Sequence, residues 1–289
     1  MKTIESPAEM QRFAETARLK GERVALVPTM GYLHEGHLSL MHEGRRRATL
    51  LVSSLFVNPT QFGPQEDLQT YPRDMERDCH LMERVPVDVL FAPDAAAMYP
   101  AGAQTWVEVT ELTQGLCGQF RPGHFRGVTT VVAKLINIVK PHIALFGAKD
   151  YQQLCAVQQM VRDLNFDVEI VAMPTVREPD GLAMSSRNSY LAPTERAVAL
   201  SLSRALEAAR AALARGERNP HALAQTARAE LDRERGLAVE YVEVRDATTL
   251  AQIRSVEAPA VLAIAARAGR TRLIDNIVLE PGIGVRSEK

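Results

Sequence analysis

Residues 23–41 read RVALVPTMGYLHEGHLSLM. An apolar, β-branched run stops at Pro28, a short segment containing Gly31 follows, and Leu38, Leu40 and Met41 then return together on one side of a helix that begins after Gly36. A strand, a glycine-bearing turn and a helix in that order are the opening unit of an α/β fold. The turn falls at the carboxyl end of the strand, where open parallel sheets bind their ligands. His34 and His37 stand there, and their spacing of three puts both rings on one helix face.

The same rhythm continues outward from this unit. Further strands are predicted at 49–56 (TLLVSSLF), 87–91 (VDVLF), 142–146 (HIALF) and 167–172 (DVEIVA), with helices over 36–47, 73–84, 126–139 and 150–164. The 73–84 segment is charged enough for a solvated crossover helix. The 126–139 segment is rich in β-branched residues but longer than most strands, so it reads as a buried helix. Asp150 followed by Gln153 resembles a capping box. After about residue 190 the character changes. An Ala-, Leu- and Arg-rich helix over 195–217 ends at Gly216, and a second runs from about Pro220 to Arg235. Alternating strands follow at 239–247, 260–269 and 271–280, with Gly269-Arg270 as a hairpin turn. The expected architecture is therefore α/β: a Rossmann-like parallel sheet with flanking helices over 1–175, and a smaller α+β domain over 176–289.

Composition narrows the function. The 289 residues are 46% hydrophobic and 24% charged, with a formal net charge of −1. That balance lacks the basic footprint of non-specific nucleic-acid binding. Cys79, Cys117 and Cys155 lie far apart, without the paired spacing of disulfide frameworks or metal sites, which fits a reducing cytosol. No segment supplies about 18 uncharged apolar residues, and the N-terminal stretch has no export signal. A cytoplasmic protein acting on small molecules, with neither a nucleic acid nor a membrane as partner, is the expectation.

Four stretches carry chemistry. An imidazole near a helix N-terminus, where backbone N–H groups converge, suits phosphate oxygens. A pair of satisfied histidines is the plainer reading of His34 and His37, and a zinc site lacks a third ligand at an obvious distance. In FGAKDYQQL, 146–154, Lys149 follows a strand end in a chain that otherwise favours arginine; a solvated loop lysine beside an N-capping Asp150 would look the same. In AMSSRNSYL, 183–191, Ser185, Ser186 and Arg187 could clamp a pyrophosphate. In SSLFVNPTQFGPQEDLQTYPRD, 53–74, Asn58 and Gln61 are uncharged donors and acceptors suited to a polyol or carboxylate, although Asn-Pro and Phe-Gly-Pro explain themselves as turns.

In this order and wording, and together with GHFRGVTTVVAKL at 123–135, the stretches resemble the pantoate–β-alanine ligases of the nucleotidyltransferase superfamily, which carry HIGH-like and KMSKS-like motifs. The resemblance is close over roughly residues 20–192 and follows length and pattern beyond. One departure is Ala148, where the family commonly has Glu. The resemblance implies ATP-dependent condensation of pantoate with β-alanine through a pantoyl adenylate, with ATP as substrate, Mg2+ as cofactor and a homodimer as the assembly. It implies that His34 and His37 face phosphate oxygens, that Lys149 bridges phosphate and pantoate, and that Ser185, Ser186 and Arg187 hold the departing pyrophosphate. Gln61, Gln153 and Asn58 would hold pantoate. Met30, Gly31, Tyr32, Leu33, Glu35, Gly36, Gly147, Ala148, Asp150, Val176 and Met184 would complete the ATP site, with magnesium on the triphosphate and no protein ligand set assigned to it. The smaller domain would act as a lid hinged within 173–184. A nucleotidylyltransferase that stops at a nucleotide conjugate, and a nucleotide sensor without catalysis, are the rivals. Release of AMP that depends on ATP, pantoate and β-alanine together separates them.

Overall fold

Lys2–Ile4 (β1), Val24–Thr29 (β2), Leu50–Leu55 (β3), Val89–Phe91 (β4), Ile143–Gly147 (β5) and Glu169–Met173 (β6) form one sheet in the order β1-β4-β3-β2-β5-β6, with every neighbouring pair parallel. This is the sheet of a computed structural model that describes residues 1–281; the end of the C-terminal domain as read from the sequence, 282–289, lies outside the described residues. β2 is central, aligning Val24 with Leu50 of β3 and Ala25 with Ile143 of β5. It is apolar without alternation because both of its faces are covered. Val24 and Leu26 pack on one side with helices Pro7–Leu19 and His124–Val139, while Ala25 and Val27 pack on the other with Leu38 and Met41 of helix Glu35–Arg47. Two-sided burial of this kind accompanies crossover helices on both faces.

The chain steps from β2 to β3 to β4 on one side, then returns to lay β5 on the other side of β2. The strand order therefore reverses between β2 and β5, and a crevice opens at their carboxyl ends. His34 and His37 follow β2, and Lys149 follows β5.

Several elements differ from the sequence reading. β1 and helix Pro7–Leu19 carried no expectation, although Ser6 caps that helix through the Glu9 N–H and Pro7 occupies its first turn. The 195–217 helix is two helices, Pro193–Ala199 and Ser201–Ala214, and the next ends earlier, as Pro220–Leu231. Asp150 makes no side-chain cap on helix Tyr151–Asp163; its carboxylate instead lies 3.7 Å from Lys149 Nζ. The capping box occurs at Glu35–Arg47, where His34 Nδ1 accepts from the Gly36 N–H and His37 Nδ1 accepts from the His34 N–H.

Helix His124–Val139 is buried along most of its length, as its β-branched interior suggests, and runs against the turn Pro59–Gln61. A Cβ at Gly127 would stand 2.3 Å from Thr60 O and 2.7 Å from Gln61 N, both backbone atoms. Gly127→Ala should therefore destabilise the protein by about 1–3 kcal/mol and displace Gln61. Urea denaturation checks it; a loss under about 0.5 kcal/mol would show that the turn yields freely.

The cut between the two units does not fall at a single point. Met184–Ser186 groups with the first unit, since the Met184 N–H donates to Val176 O and the Ser186 hydroxyl to Tyr32 O. Gly115–Phe120 groups with the second, where Phe120 stacks on Tyr241. The second unit is built on Leu237–Asp246 (β7), Ala260–Ala268 (β8) and Thr271–Leu279 (β9), an antiparallel sheet covered by helices Ser201–Ala214 and Pro220–Leu231. Leu202, Leu206, Leu223, Leu262 and Ile264 form its core.

Candidate active site

In the first unit the residues after β2 form a tight turn. Gly31 and Tyr32 both have positive φ, 83° and 50°. Tyr32 and Leu33 donate their N–H groups to Asp78 at 2.7 Å each, and the chain then enters helix Glu35–Arg47 with His34 as its cap. The two imidazoles lie 4.1 Å apart, centre to centre. Gly36 is required here by close approach: a Cβ would come within 2.9 Å of the His34 ring.

The cap bonds also decide the protons. Nδ1 of each histidine accepts a backbone N–H, so in the neutral ring the proton sits on Nε2 and can be donated outward. Burial, then His34 and Lys149, push His37 well below the ordinary value of 6.5. His37 is accordingly a neutral donor at neutral pH, able to bind a phosphate oxygen without carrying a full charge. The sign for stability follows from that depression. Above the ordinary value both folded and unfolded His37 are neutral; as pH falls below 6.5 the unfolded chain gains the proton first, and stability is lost down to the depressed folded value. A side-chain NMR titration should show His37 unprotonated between about pH 8 and 6.5; a midpoint at or above the ordinary 6.5 would refute the assignment.

Lys149, in the turn Ala148–Asp150 after β5, is the cation that acts on His37, and Gln153 lies in the first turn of the next helix. Ser186 donates to Tyr32 O at 3.1 Å, and Met184 Cβ lies 3.9 Å from the position of a Cβ on Gly36. The HIGH-like turn, Lys149 and Ser186 are thereby brought together within one unit. Arg187 belongs to the second unit, which is tied together by ion pairs of its own. Arg177 makes a two-pronged pair with Asp275, at 2.7 and 2.9 Å, and Arg196 reaches both Glu178 and Asp180 at 2.6 Å.

Beyond β3, Gln61 is held from several directions. Its carbonyl accepts from His124 Nδ1 at 2.8 Å and from Arg121 Nη2 at 3.2 Å, and Arg121 is itself clasped by Glu66. Arg121 also approaches His124 Nε2 at 3.0 Å, which leaves the His124 proton on Nδ1, while burial and the Arg121 charge push that histidine down to about 3. The Gln61 side-chain oxygen accepts from Asn58, and its Nε2 points to Met30 Sδ at 3.1 Å. Asn58 is 1% exposed. Its amide donates to Gln61 and Gly127 O, and its oxygen accepts from Thr60 and Tyr99. Asn58 thus meets the protein on every side, while the Gln61 amide makes one such contact from its oxygen and one from its N–H2. His124, Arg121, Glu66, Tyr99 and Asp78 escaped the sequence reading. Their only signals were the place of His124 inside GHFRG, of Glu66 in the 53–74 stretch and of Asp78 in the charged 73–84 segment, which is not wholly solvated because Asp78 and Met82 are buried; Arg121 and Tyr99 lie in none of these.

Among the described residues no group of three or more His, Cys, Asp or Glu side chains is placed to hold a metal ion. No helix among them is long and apolar enough to cross a membrane.

Comparison with known proteins identifies the family. A family model described as pantoate-beta-alanine ligase matches residues 2–278. The chain is 58% identical over 279 residues to a pantothenate synthetase of Geotalea daltonii, covering 96% of this chain and 99% of that one. A Geobacter sulfurreducens pantothenate synthetase is 57% identical with the same coverage. Among solved structures, a pantothenate synthetase of Thermus thermophilus superposes with a TM-score of 0.92 at 46% identity, covering 97% of this chain and all of the other. A Francisella tularensis pantoate-beta-alanine ligase complexed with beta-gamma ATP and beta-alanine gives a TM-score of 0.78 at 32% identity, over 96% of this chain and 97% of that one.

Proposed function

Since the chain belongs to the pantoate–β-alanine ligase family, it condenses pantoate with β-alanine using ATP, and we propose that the crevice between β2 and β5 is where it does so. The observation that supports this placement is the reversal of strand order, which sets His34 and His37 beside one carboxyl end and Lys149 beside its neighbour.

In the first step a pantoate carboxylate oxygen attacks the α-phosphorus, the bond from that phosphorus to the bridging oxygen breaks, and pyrophosphate leaves. Negative charge grows on phosphate oxygens that have no acidic partner to receive it. Fixed donors aimed at that charge are therefore the main catalytic requirement. His34 and His37 supply Nε2–H groups, Lys149 a full positive charge, and Ser185, Ser186 and Arg187 the grip on pyrophosphate. Met30 to His37, Gly147 to Asp150, Val176 and Met184 line the nucleotide. Gln61 presents its N–H2 to a pantoate oxygen with Gln153 beside it, and Asn58 acts by fixing which way the Gln61 amide faces. In the second step the β-alanine amine attacks the acyl carbon and AMP departs with the former carboxylate oxygen.

Magnesium enters with the triphosphate as part of the substrate, keeping most of its waters. Pantoate and a second copy of the chain are the further partners. Cytoplasmic residence is supported by the free thiols of Cys79, Cys117 and Cys155. The lid role of residues 176–289 belongs to the same reading, since a mixed anhydride must be kept from water. Small-angle scattering with and without ATP and pantoate reads that motion, and light scattering the homodimer.

Pantoate labelled with 18O in its carboxylate tests the chemistry. AMP should carry one label and appear in amounts equal to the amide formed. Unlabelled AMP, or a labelled nucleotide conjugate that accumulates when β-alanine is present, would overturn the reading in favour of hydrolysis or simple nucleotidyl transfer.

A further inference from the structure

The Asp78 carboxylate accepts the consecutive N–H groups of Tyr32 and Leu33, one on each oxygen and each at 2.7 Å, although it lies 45 and 46 residues away along the chain. It is 1% exposed, so its charge has left water to make these bonds. The backbone it holds is strained, because Tyr32 sits at φ 50° directly after Gly31 at φ 83°. A bulky side chain in the left-handed region needs an outside constraint to stay there. Asp78 supplies one, with Arg77 placing its guanidinium 5.0 Å from the Tyr32 ring and 3.6 Å from Asp78.

The Tyr32 peptide is a junction. Its N–H goes to Asp78, its carbonyl accepts the Ser186 hydroxyl at 3.1 Å, and His34 follows two residues later as the helix cap. A displacement of this peptide would move the His34–His37 pair and Ser186 together. Buried carboxylates that accept paired backbone N–H groups fix such turns through charge-assisted bonds. Nothing in the chemistry requires Asp78 to touch a substrate.

We propose that Asp78 is a positioning residue for adenylate formation, acting through Tyr32 and Leu33 on His34, His37 and Ser186. Transfer of the adenylyl group is sensitive to misplacement of about 1 Å, whereas attack of an amine on a preformed acyl adenylate places less demand on pyrophosphate-gripping groups.

The inference rests on the adenylation reading, and the test separates the two. Asp78→Asn keeps the shape but retains one acceptor oxygen, so one backbone N–H must face an N–H2 group. In single turnovers, pantoyl adenylate formation from ATP and pantoate should fall by about 10²-fold, while conversion of supplied pantoyl adenylate and β-alanine to product should change by less than about 5-fold. Equal losses in both half-reactions would show a general scaffold role and overturn the inference, as would near-normal rates in both. Should the variant not fold, amide exchange in the wild type decides: Tyr32 and Leu33 must be among the slowly exchanging amides, and rapid exchange there refutes the anchor. Absence of pantoyl adenylate from the wild-type enzyme would instead refute the adenylation reading itself.

Discussion

Lys149→Ala is expected to lower single-turnover formation of pantoyl adenylate by about 10²–10³-fold, the usual cost of removing one donor aimed at a developing oxyanion. The side chain follows β5 at the crevice and is 19% exposed, so its charge acts with less screening than a surface lysine's. Its ion pair with Asp150 is loose, at 3.7 Å, and a pair of that kind adds little to stability. His37 remains neutral in the variant, because burial is the larger cause of its depressed pKa and Lys149 the smallest of the three. The loss should therefore fall on rate, with thermal stability nearly unchanged. A variant within about 10-fold of wild type would remove Lys149 from the transition state.

The second large effect concerns His37, where a structural and a catalytic role must be separated. Its Nδ1 caps the helix by accepting the His34 N–H, so His37→Ala forfeits a cap worth about 1 kcal/mol as well as the Nε2–H donor. His37→Gln tells them apart. Glutamine at the third position of a helix restores the capping bond, because its side-chain oxygen reaches back to the cap N–H. It cannot place its N–H2 where the imidazole Nε2 lies while doing so. We expect His37→Gln to recover the melting temperature of the wild type and to remain about 10²-fold slower in adenylate formation. Recovery of both would reduce His37 to a helix cap.

The local elements were legible because their causes are local. β2 announces itself as RVALVP since each of its residues packs on one face or the other, and helix His124–Val139 announces itself by length. The order of HIGH-like turn, Lys149 loop and Ser-Ser-Arg segment follows from the sequence in the same way, each a strand end or turn with a short polar signature. The broken helix at Leu200 and the absent Asp150 cap were not legible, because helical spacing continues through the first and the second depends on where Lys149 points.

What the sequence by itself determined is the alternation of strands and helices, the residues available for chemistry and, through their wording, the family. What only the tertiary structure decided is which of them meet. The order β1-β4-β3-β2-β5-β6 brings the ends of β2 and β5 together although more than a hundred residues separate them. Asp78 lies in a segment whose charge pattern reads as solvent-facing, yet it is buried against Tyr32 and Leu33. Asn58 reads from the sequence as a polar turn residue, whereas the fold surrounds its amide with Gly127, Thr60, Tyr99 and Gln61, and aims the Gln61 N–H2 at Met30 Sδ. Periodicity reports the neighbours of a residue along its own helix or strand. Burial of a charge, the facing of an amide and the tautomer of a histidine are set by partners distant in the chain, and leave no local pattern for the sequence to show.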